Sequence, residues 1–254
     1  MNKGNLYLIP TILAEDSQNN TLPSSIFTAI KEINIFIAEN IKTSRRHIRK
    51  ISPDKDISTI TFYPYGKHDN LNLEETLLNH ILSGSDVGLI SEAGLPCIAD
   101  PGAKIVKYAH NFQINVIPLV GPSSILLALM ASGLNGQNFA FNGYLPIKNP
   151  ARIKAIKRLE EKVKKYGQTQ IFMETPYRNN QICEALLKIC SNNIKLCIAT
   201  NLTIINENIQ TKTIDEWKQT KINIHKKPTI FLIGNWTTLQ IRVIWGFFFI
   251  YICQ

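Results

Sequence analysis

The sequence predicts an α/β protein, with a mostly parallel sheet in its first half and a mixed sheet in its second. Short apolar, β-rich runs alternate with stretches of helical period, the pattern of parallel strands joined by crossover helices. Two of these runs, "VGLIS" (87–91) and "INVIPL" (114–119), pass directly into loops rich in glycine and proline. Past residue 120 the alternation changes, and two β-rich runs meet in a hairpin-like arrangement around Asn206 that suits antiparallel pairing.

Taken in order, "LYLI" (6–9) is a strand, and "SSIFTAIKEI" (24–33) is a helix with Ile26, Ile30 and Ile33 on one face. "NIFIAE" (34–39) and "STITFY" (58–63) are the next strands. "LEETLLNHILSG" (73–84) is a helix closed by Gly84. The strand at 87–91 leads to a helix from about Ala103, and the strand at 114–119 to a helix near Ser123. "FAFNGYLP" (139–146) is a short strand ending in a proline linker. "ARIKAIKRLEEKVKKYG" (151–167) is an amphipathic helix with Ile153, Ile156, Leu159, Val163 and Tyr166 on its apolar face. Strands follow at 169–174, 194–203, 206–213 and 228–233, and Cys183 falls in a helix between the first two. A division of the chain near 118–122 separates the two patterns.

A length of 254 residues fits one large domain or two small ones, and 44% apolar content is ordinary for a globular protein. The formal charge of +9 favours polyanionic partners, although Ile, Asn and Lys are over-used throughout, which discounts part of it. Cys97, Cys183, Cys190, Cys197 and Cys253 form no C-x-x-C pair and read as buried free thiols, as in a reducing cytoplasm, rather than as a metal site. "MNKGNLYLIP" enters a strand at once and does not read as a signal peptide. The apolar tail "IRVIWGFFFIYICQ" (241–254) is too short to span a bilayer; it suits a docking strand, a dimer cover or an accidental extension.

No G-x-G-x-x-G, no G-x-x-x-x-G-K-[ST] and no H-E-x-x-H occurs, so neither the common phosphate cradles nor a catalytic metal is expected. The chemistry is expected at the carboxyl ends of the strands, where ligands bind in open α/β sheets. Ser91, Glu92, Ala93 and Gly94 leave the fourth strand there, stiffened by Pro96 and Pro101. Gly94 either takes a positive φ or lets a ligand approach, and Asp100-Pro101-Gly102 reads as a turn or N-cap. In "PLVGPSS" (118–124), Gly121 removes bulk, Pro122 suits a first helical turn, and Ser123 and Ser124 offer hydroxyls and N–H groups to an anion. Each loop also reads as a plain capped connection; two such loops at two strand ends favour a ligand site.

These segments resemble the tetrapyrrole-methylase superfamily. "ISEAGLPCIADPG", "VIPLVGPSSILLALMASGL" and "FAFNGYLP" follow its motifs in order, and "LYLIPT", "AENIKTSRR", "HDN", "FMETPYR" and "IATNLT" extend the match over most of residues 5–234. The branch most similar is the small-subunit ribosomal RNA methyltransferase I family, whose members methylate a cytidine 2′-hydroxyl with S-adenosylmethionine. The resemblance implies two α/β domains, 1–120 and 121–240, with the cofactor in the cleft between them, and a homodimer. Carried over by position, the cofactor contacts are Pro10, Ser91, Glu92, Ala93, Gly94, Pro96, Gly121, Pro122, Ser123 and Ser124, with Met173, Glu174, Ala199, Asn201, Leu202, Pro228 and Thr229 from the second domain. A valine at Gly121 is then expected to block the pocket.

The chain departs from that pattern in three places. "PTILAED" replaces Pro-Ile-Gly-Asn after the first strand and brings in Glu15 and Asp16. Ala38-Glu39-Asn40-Ile41-Lys42 replaces Ala-Glu-Asp-Thr-Arg, and Lys227-Pro228 replaces Gly-Glu. This marks a divergent branch.

A ribose hydroxyl needs a proton acceptor. Glu39 and Glu92, at strand ends, are the candidates, a capping or ribose-binding role being the alternative. The tract "KTSRRHIRK" (42–50), with Lys42, Arg45, Arg46 and Arg49, is the expected RNA-binding element, joined by His68 unless that is a plain surface histidine. The tract at 148–165 serves RNA or forms a solvated face with Glu160–Lys164 and Glu161–Lys165 pairs. The competing functions are a methyltransferase for a small molecule such as a tetrapyrrole and a non-catalytic RNA- or ribosome-binding relative, the latter suggested by the altered first loop.

Overall fold

A computed structural model of the chain describes residues 3–65 and 73–236, apart from the side chains of 73–77. His68, Cys253 and the apolar tail lie outside the described residues. In chain order the elements are β1 (Leu6–Ile9), α1 (Gln18–Thr21), α2 (Ser24–Glu32), β2 (Ile35–Ala38), α3 (Ile41–Ile51), β3 (Thr61–Pro64), α4 (Leu73–Leu82), β4 (Val87–Ile90), α5 (Ala103–Asn111), β5 (Val116–Pro118), α6 (Ser124–Ser132), β6 (Phe139–Tyr144), α7 (Asn149–Tyr166), β7 (Thr169–Met173), α8 (Asn179–Ile189), β8 (Lys195–Thr200), β9 (Asn208–Thr213), α9 (Ile214–Lys218) and β10 (Thr229–Gly234).

The first sheet has the order β3-β2-β4-β1-β5, and every pairing in it is parallel. Its strands are apolar on both faces because helices cover both. On one face Ile26, Ala29 and Ile30 of α2 and Ile48 and Ile51 of α3 pack with Ile9, Phe36 and Ile90. On the other, Ile81 of α4 and Ile105 and Ala109 of α5 pack with Leu6, Ile37, Val87 and Leu89. Ile26, Ile30 and Ile33 are all buried, as their spacing predicts. The chain leaves β1 towards β2 on one side and leaves β4 towards β5 on the other. The neighbouring ends of β1 and β4 are therefore a switch point of the sheet, the usual ligand position in such sheets.

The second sheet has the order β6-β7-β10-β8-β9. Only β6–β7 is parallel, and β8–β9 is the antiparallel pair expected around Asn206. Helices α7, α8 and α9 bury Ile156, Leu159, Ile182, Leu186 and Trp217 against Phe172, Leu196 and Phe231. Helix α6 covers the opposite face with Ile125, Ala128 and Leu129. The chain thus passes from the end of β5 in the first sheet to a helix packed on the second.

Three expectations are corrected. Residues 41–51, read only as a basic tract, form a helix. Asn40 caps it by accepting from the Thr43 amide at 3.2 Å. Residues Ile57–Thr59 form a 3₁₀ turn under the Asp56 side chain, and the strand begins only at Thr61. On α7, Ile153 and Tyr166 are 41% and 59% exposed, whereas Arg152 is buried because it donates to the carbonyls of Pro146 and Ile147 and closes the linker.

Candidate active site

The ends of β1 and β4 are tied together by short polar contacts, and the end of β5 packs closely against both. The Thr11 amide donates to the Gly94 carbonyl at 2.9 Å, and the Ser91 hydroxyl donates to the same oxygen at 2.5 Å. Ser91 Oγ also lies 3.2 Å from Thr11 Oγ1. Gly94 has φ +73°, and a β-carbon there would sit 3.1 Å from the Pro122 carbonyl oxygen. Its absent side chain therefore lets the loops after β4 and β5 touch, in a conformation that favours glycine. Gly121 lies against Pro10: a β-carbon on it would fall 2.2 Å from the Pro10 Cβ. A valine at 121 would push apart the ends of β1 and β5, so the expectation that it simply blocks a ligand is corrected. Pro122 precedes the helix and Ser123 is its N-cap, with Oγ accepting from the Leu126 amide at 3.5 Å.

These loops and the second sheet enclose a cleft of about 280 Å³. Of the expected cofactor residues, Glu92, Ala93, Gly94, Ser123, Ser124 and Met173 line it, together with Asp100, read from the sequence only as a turn or cap, and Tyr144, to which sequence reasoning gave no role. Pro10, Pro96 and Pro122 are buried outside its lining, where they stiffen the loops. Residues Glu174, Ala199, Asn201, Leu202, Pro228 and Thr229 also lie outside the lining. Glu174 accepts from Arg178 Nε at 3.0 Å and from the Thr175 amide at 2.7 Å. Ala199 and Leu202 belong to the core under α6. The Asn201 amide donates to the Pro228 carbonyl, and Thr229 Oγ1 accepts from Asn179 Nδ2.

Glu92 and Asp100 line the cleft, and Glu39, just past the end of β2, lies outside its lining but near enough for its charge to act on both. Burial and the charges of Glu39 and Glu92 push the Asp100 carboxyl up to about 7. Burial and Glu39 also raise Glu92, against the opposing effect of the Asn40 amide. Asp100 is not the N-cap of α5: that position is Gly102, with φ +131° and no capping side chain. Cys97 and Ala99 have φ 67° and 58°, so Asp100 is presented by a loop held in conformations that non-glycine residues rarely adopt. Its neighbours in space come from β2 and β4, which no local sequence signal reveals.

The sign of this shift is testable. A carboxyl raised in the native state binds its proton more tightly when folded. Its contribution to stability is full below about pH 4 and is lost as pH rises through 7. Asp100→Asn should therefore equal the wild type near pH 4 and exceed it by about 2 kcal/mol at pH 8, after allowance for partial solvent screening. Urea unfolding at the two pH values measures this, and a constant difference would remove the repulsion.

Outside the cleft, α3 alone presents Lys42, Arg45, Arg46, Arg49 and Lys50 along one shallow, open surface groove. The Arg45 guanidinium stacks over Phe62 at 5.2 Å. Glu15 and Asp16 face this helix: Arg46 pairs with Glu15 at 3.4 Å and Lys50 with Asp16 at 2.9 Å. In the second basic tract, Lys164 pairs with the buried Glu160 at 2.7 Å. Among the described residues no three His, Cys, Asp or Glu side chains gather in a metal-binding group, and no helix is long and apolar enough to cross a membrane.

Comparison with known proteins agrees with this architecture. A family model of tetrapyrrole (corrin/porphyrin) methylases matches residues 27–218. The chain is 31% identical over 237 residues to a ribosomal RNA small subunit methyltransferase I of Vibrio cholerae, spanning 91% of this chain and 77% of that protein. It is 30% identical over 249 residues to the protein of the same name from Halalkalibacterium halodurans, spanning 96% and 80%. The crystal structure of the methyltransferase CobJ shares the fold, with a TM-score of 0.59 at 15% identity over 91% of this chain and 94% of that one. The two sheets, the cleft at the strand ends and these matches agree, and the chain belongs to the tetrapyrrole (corrin/porphyrin) methylase family as an S-adenosylmethionine-dependent methyltransferase.

Proposed function

We propose that the protein methylates the 2′-hydroxyl of a nucleotide in ribosomal RNA. The observation that carries this reading is a cleft with a helix N-terminus and three carboxylates in its surroundings, adjoined by a basic helix face. S-adenosylmethionine, bound there, supplies a methyl group on a positively charged sulfur. The N–H groups at the start of α6, around Ser123 and Ser124, suit the carboxylate of its methionine part. Glu92 and Glu39 suit the sulfonium charge and stand ready to hold the proton that the attacked hydroxyl loses. The relatives named for ribosomal RNA methylation support the RNA substrate. So does the groove along α3, since cations in a row bind phosphates without reading sequence.

The small-molecule reading gains nothing from that groove. The non-catalytic reading rested on Glu15 and Asp16, whose pairing with α3 leaves the cleft free of their charge. We take residues 1–120 and 121–240 as the two domains. The apolar exposure of Val120 (74%), Leu126 (45%) and Met130 (79%) suits a second copy of the chain. The free thiols at Cys97, Cys183, Cys190 and Cys197 suit a reducing cytoplasm.

The test is methyl transfer from labelled S-adenosylmethionine to small ribosomal subunits, followed by nucleoside analysis. A 2′-O-methylated nucleoside is expected; label on a base, or only on small molecules from an extract, would overturn the reading. Replacing Arg45, Arg46 and Arg49 together by Ala should lower the salt slope of RNA binding by about 2, because Arg46 is already paired with Glu15. An unchanged slope would take α3 out of the RNA site.

A further inference from the structure

A second cavity, of about 170 Å³, lies beside the cleft. It is bounded by residues 11–15 after β1, by α3 between Thr43 and Lys50, and by residues 91–93 after β4. Leu13, Glu92 and Ala93 line both this pocket and the cleft, so they form the wall between them. Thr43, Arg46 and Lys50 line both this pocket and the basic groove, so they form the opposite boundary. Groove, pocket and cleft therefore adjoin in sequence, and Glu92 is the carboxylate at the inner junction.

We infer that this side pocket receives the nucleotide to be methylated, its phosphates held at the groove and its ribose at Glu92. The inference rests on the function proposed above and adds the place of the acceptor. The pocket matches the chemistry of one unstacked nucleotide. Ile12 and Leu13 offer an apolar wall to a base; Arg46 and Lys50, already paired with Glu15 and Asp16, border the pocket, and Lys42, Arg45 and Arg49 beyond them on α3 offer the cations on the phosphate side. His47 in the same wall is only 7% exposed, and its Nε2 has no hydrogen-bond partner. The cavity has room for a ring and not for a duplex, so the target must lie in an unpaired stretch or be splayed out of one. In this arrangement the acidic residues that distinguish the loop after β1 hold the rim, through Glu15–Arg46 and Asp16–Lys50.

Two variants fill the pocket from opposite sides without touching the cleft: Thr43→Trp on α3 and Ala14→Trp on the loop. Three quantities are measured for each: affinity for S-adenosylhomocysteine by calorimetry, ribosomal RNA binding, and methyl transfer to small ribosomal subunits. Unchanged S-adenosylhomocysteine affinity with transfer reduced by about 100-fold is expected in both, since a misplaced acceptor loses in-line geometry. Transfer at the wild-type rate in both variants overturns this inference alone. Joint loss of S-adenosylhomocysteine binding and transfer also overturns it, by assigning the pocket to the cofactor. Absence of transfer to RNA by the wild type overturns the proposed function, and this inference with it.

Discussion

Ser124→Asp is expected to weaken S-adenosylhomocysteine binding by about 100-fold while leaving the fold at least as stable as before. Ser124 opens α6 and lines the cleft. The first turn of a helix carries free N–H groups and partial positive charge, so an aspartate there adds a few tenths of a kcal/mol of stability, about 0.3–1. The same N–H groups are the proposed partners of the ligand's carboxylate. Two negative charges about 4 Å apart in partly shielded surroundings repel by about 4 kcal/mol, enough for the stated loss after some relaxation. Calorimetry and urea unfolding of the same preparation read both effects. Unchanged affinity would move the ligand's carboxylate away from α6, and a destabilised variant would mean that the helix start is already neutralised by other groups.

The second large effect concerns His47 and acid. Burial, aided by the charge of Lys50, lowers its pKa from 6.5 to about 4. The unfolded chain therefore binds a proton that the native state refuses. Sign and window follow: the contribution is complete above pH 6.5 and is lost as pH falls through 4, by about 3 kcal/mol at pH 4. Asp100 changes in the opposite sense over much of the same range, so the wild type alone shows a muted slope. The difference between the wild type and His47→Gln isolates the histidine: the variant should gain about 3 kcal/mol relative to the wild type between pH 7 and pH 4. A difference independent of pH would mean that the imidazole reaches solvent. The missing partner of Nε2 adds its own cost at neutral pH, about 1–3 kcal/mol for an unmet buried polar group.

Much of the fold was readable because it depends on short-range pattern. Ile26, Ile30 and Ile33 recur at helical spacing, and the structure buries all three. Gly84 and Gly167 follow the last turns of α4 and α7 with φ 92° and 59°, the left-handed closure for which glycine is the ordinary residue. Helix α3 was harder to read because its buried side carries Ser44 and His47 beside Ile48 and Ile51, so half of its apolar stripe is polar. Helix α9 had a readable signal that was passed over: Thr213 and Glu216 stand three residues apart and form a complete capping box.

At the candidate site the division is sharper. The sequence by itself determined that two glycine-proline loops leave strand ends, that serines open the following helix, and that a basic tract follows the second strand. Only the tertiary structure decided what these loops touch. Gly121 packs on Pro10, more than a hundred residues away. Glu15 and Asp16 turn to Arg46 and Lys50 rather than to the cleft. Asp100, which in sequence looks like a cap, joins Glu39 and Glu92 and takes on a shifted pKa. The reason is physical: periodicity and turn chemistry act over a few residues, whereas burial and Coulomb repulsion depend on distance in space. Those distances follow from the strand order β3-β2-β4-β1-β5, which brings the ends of β2, β4 and β1 to one edge.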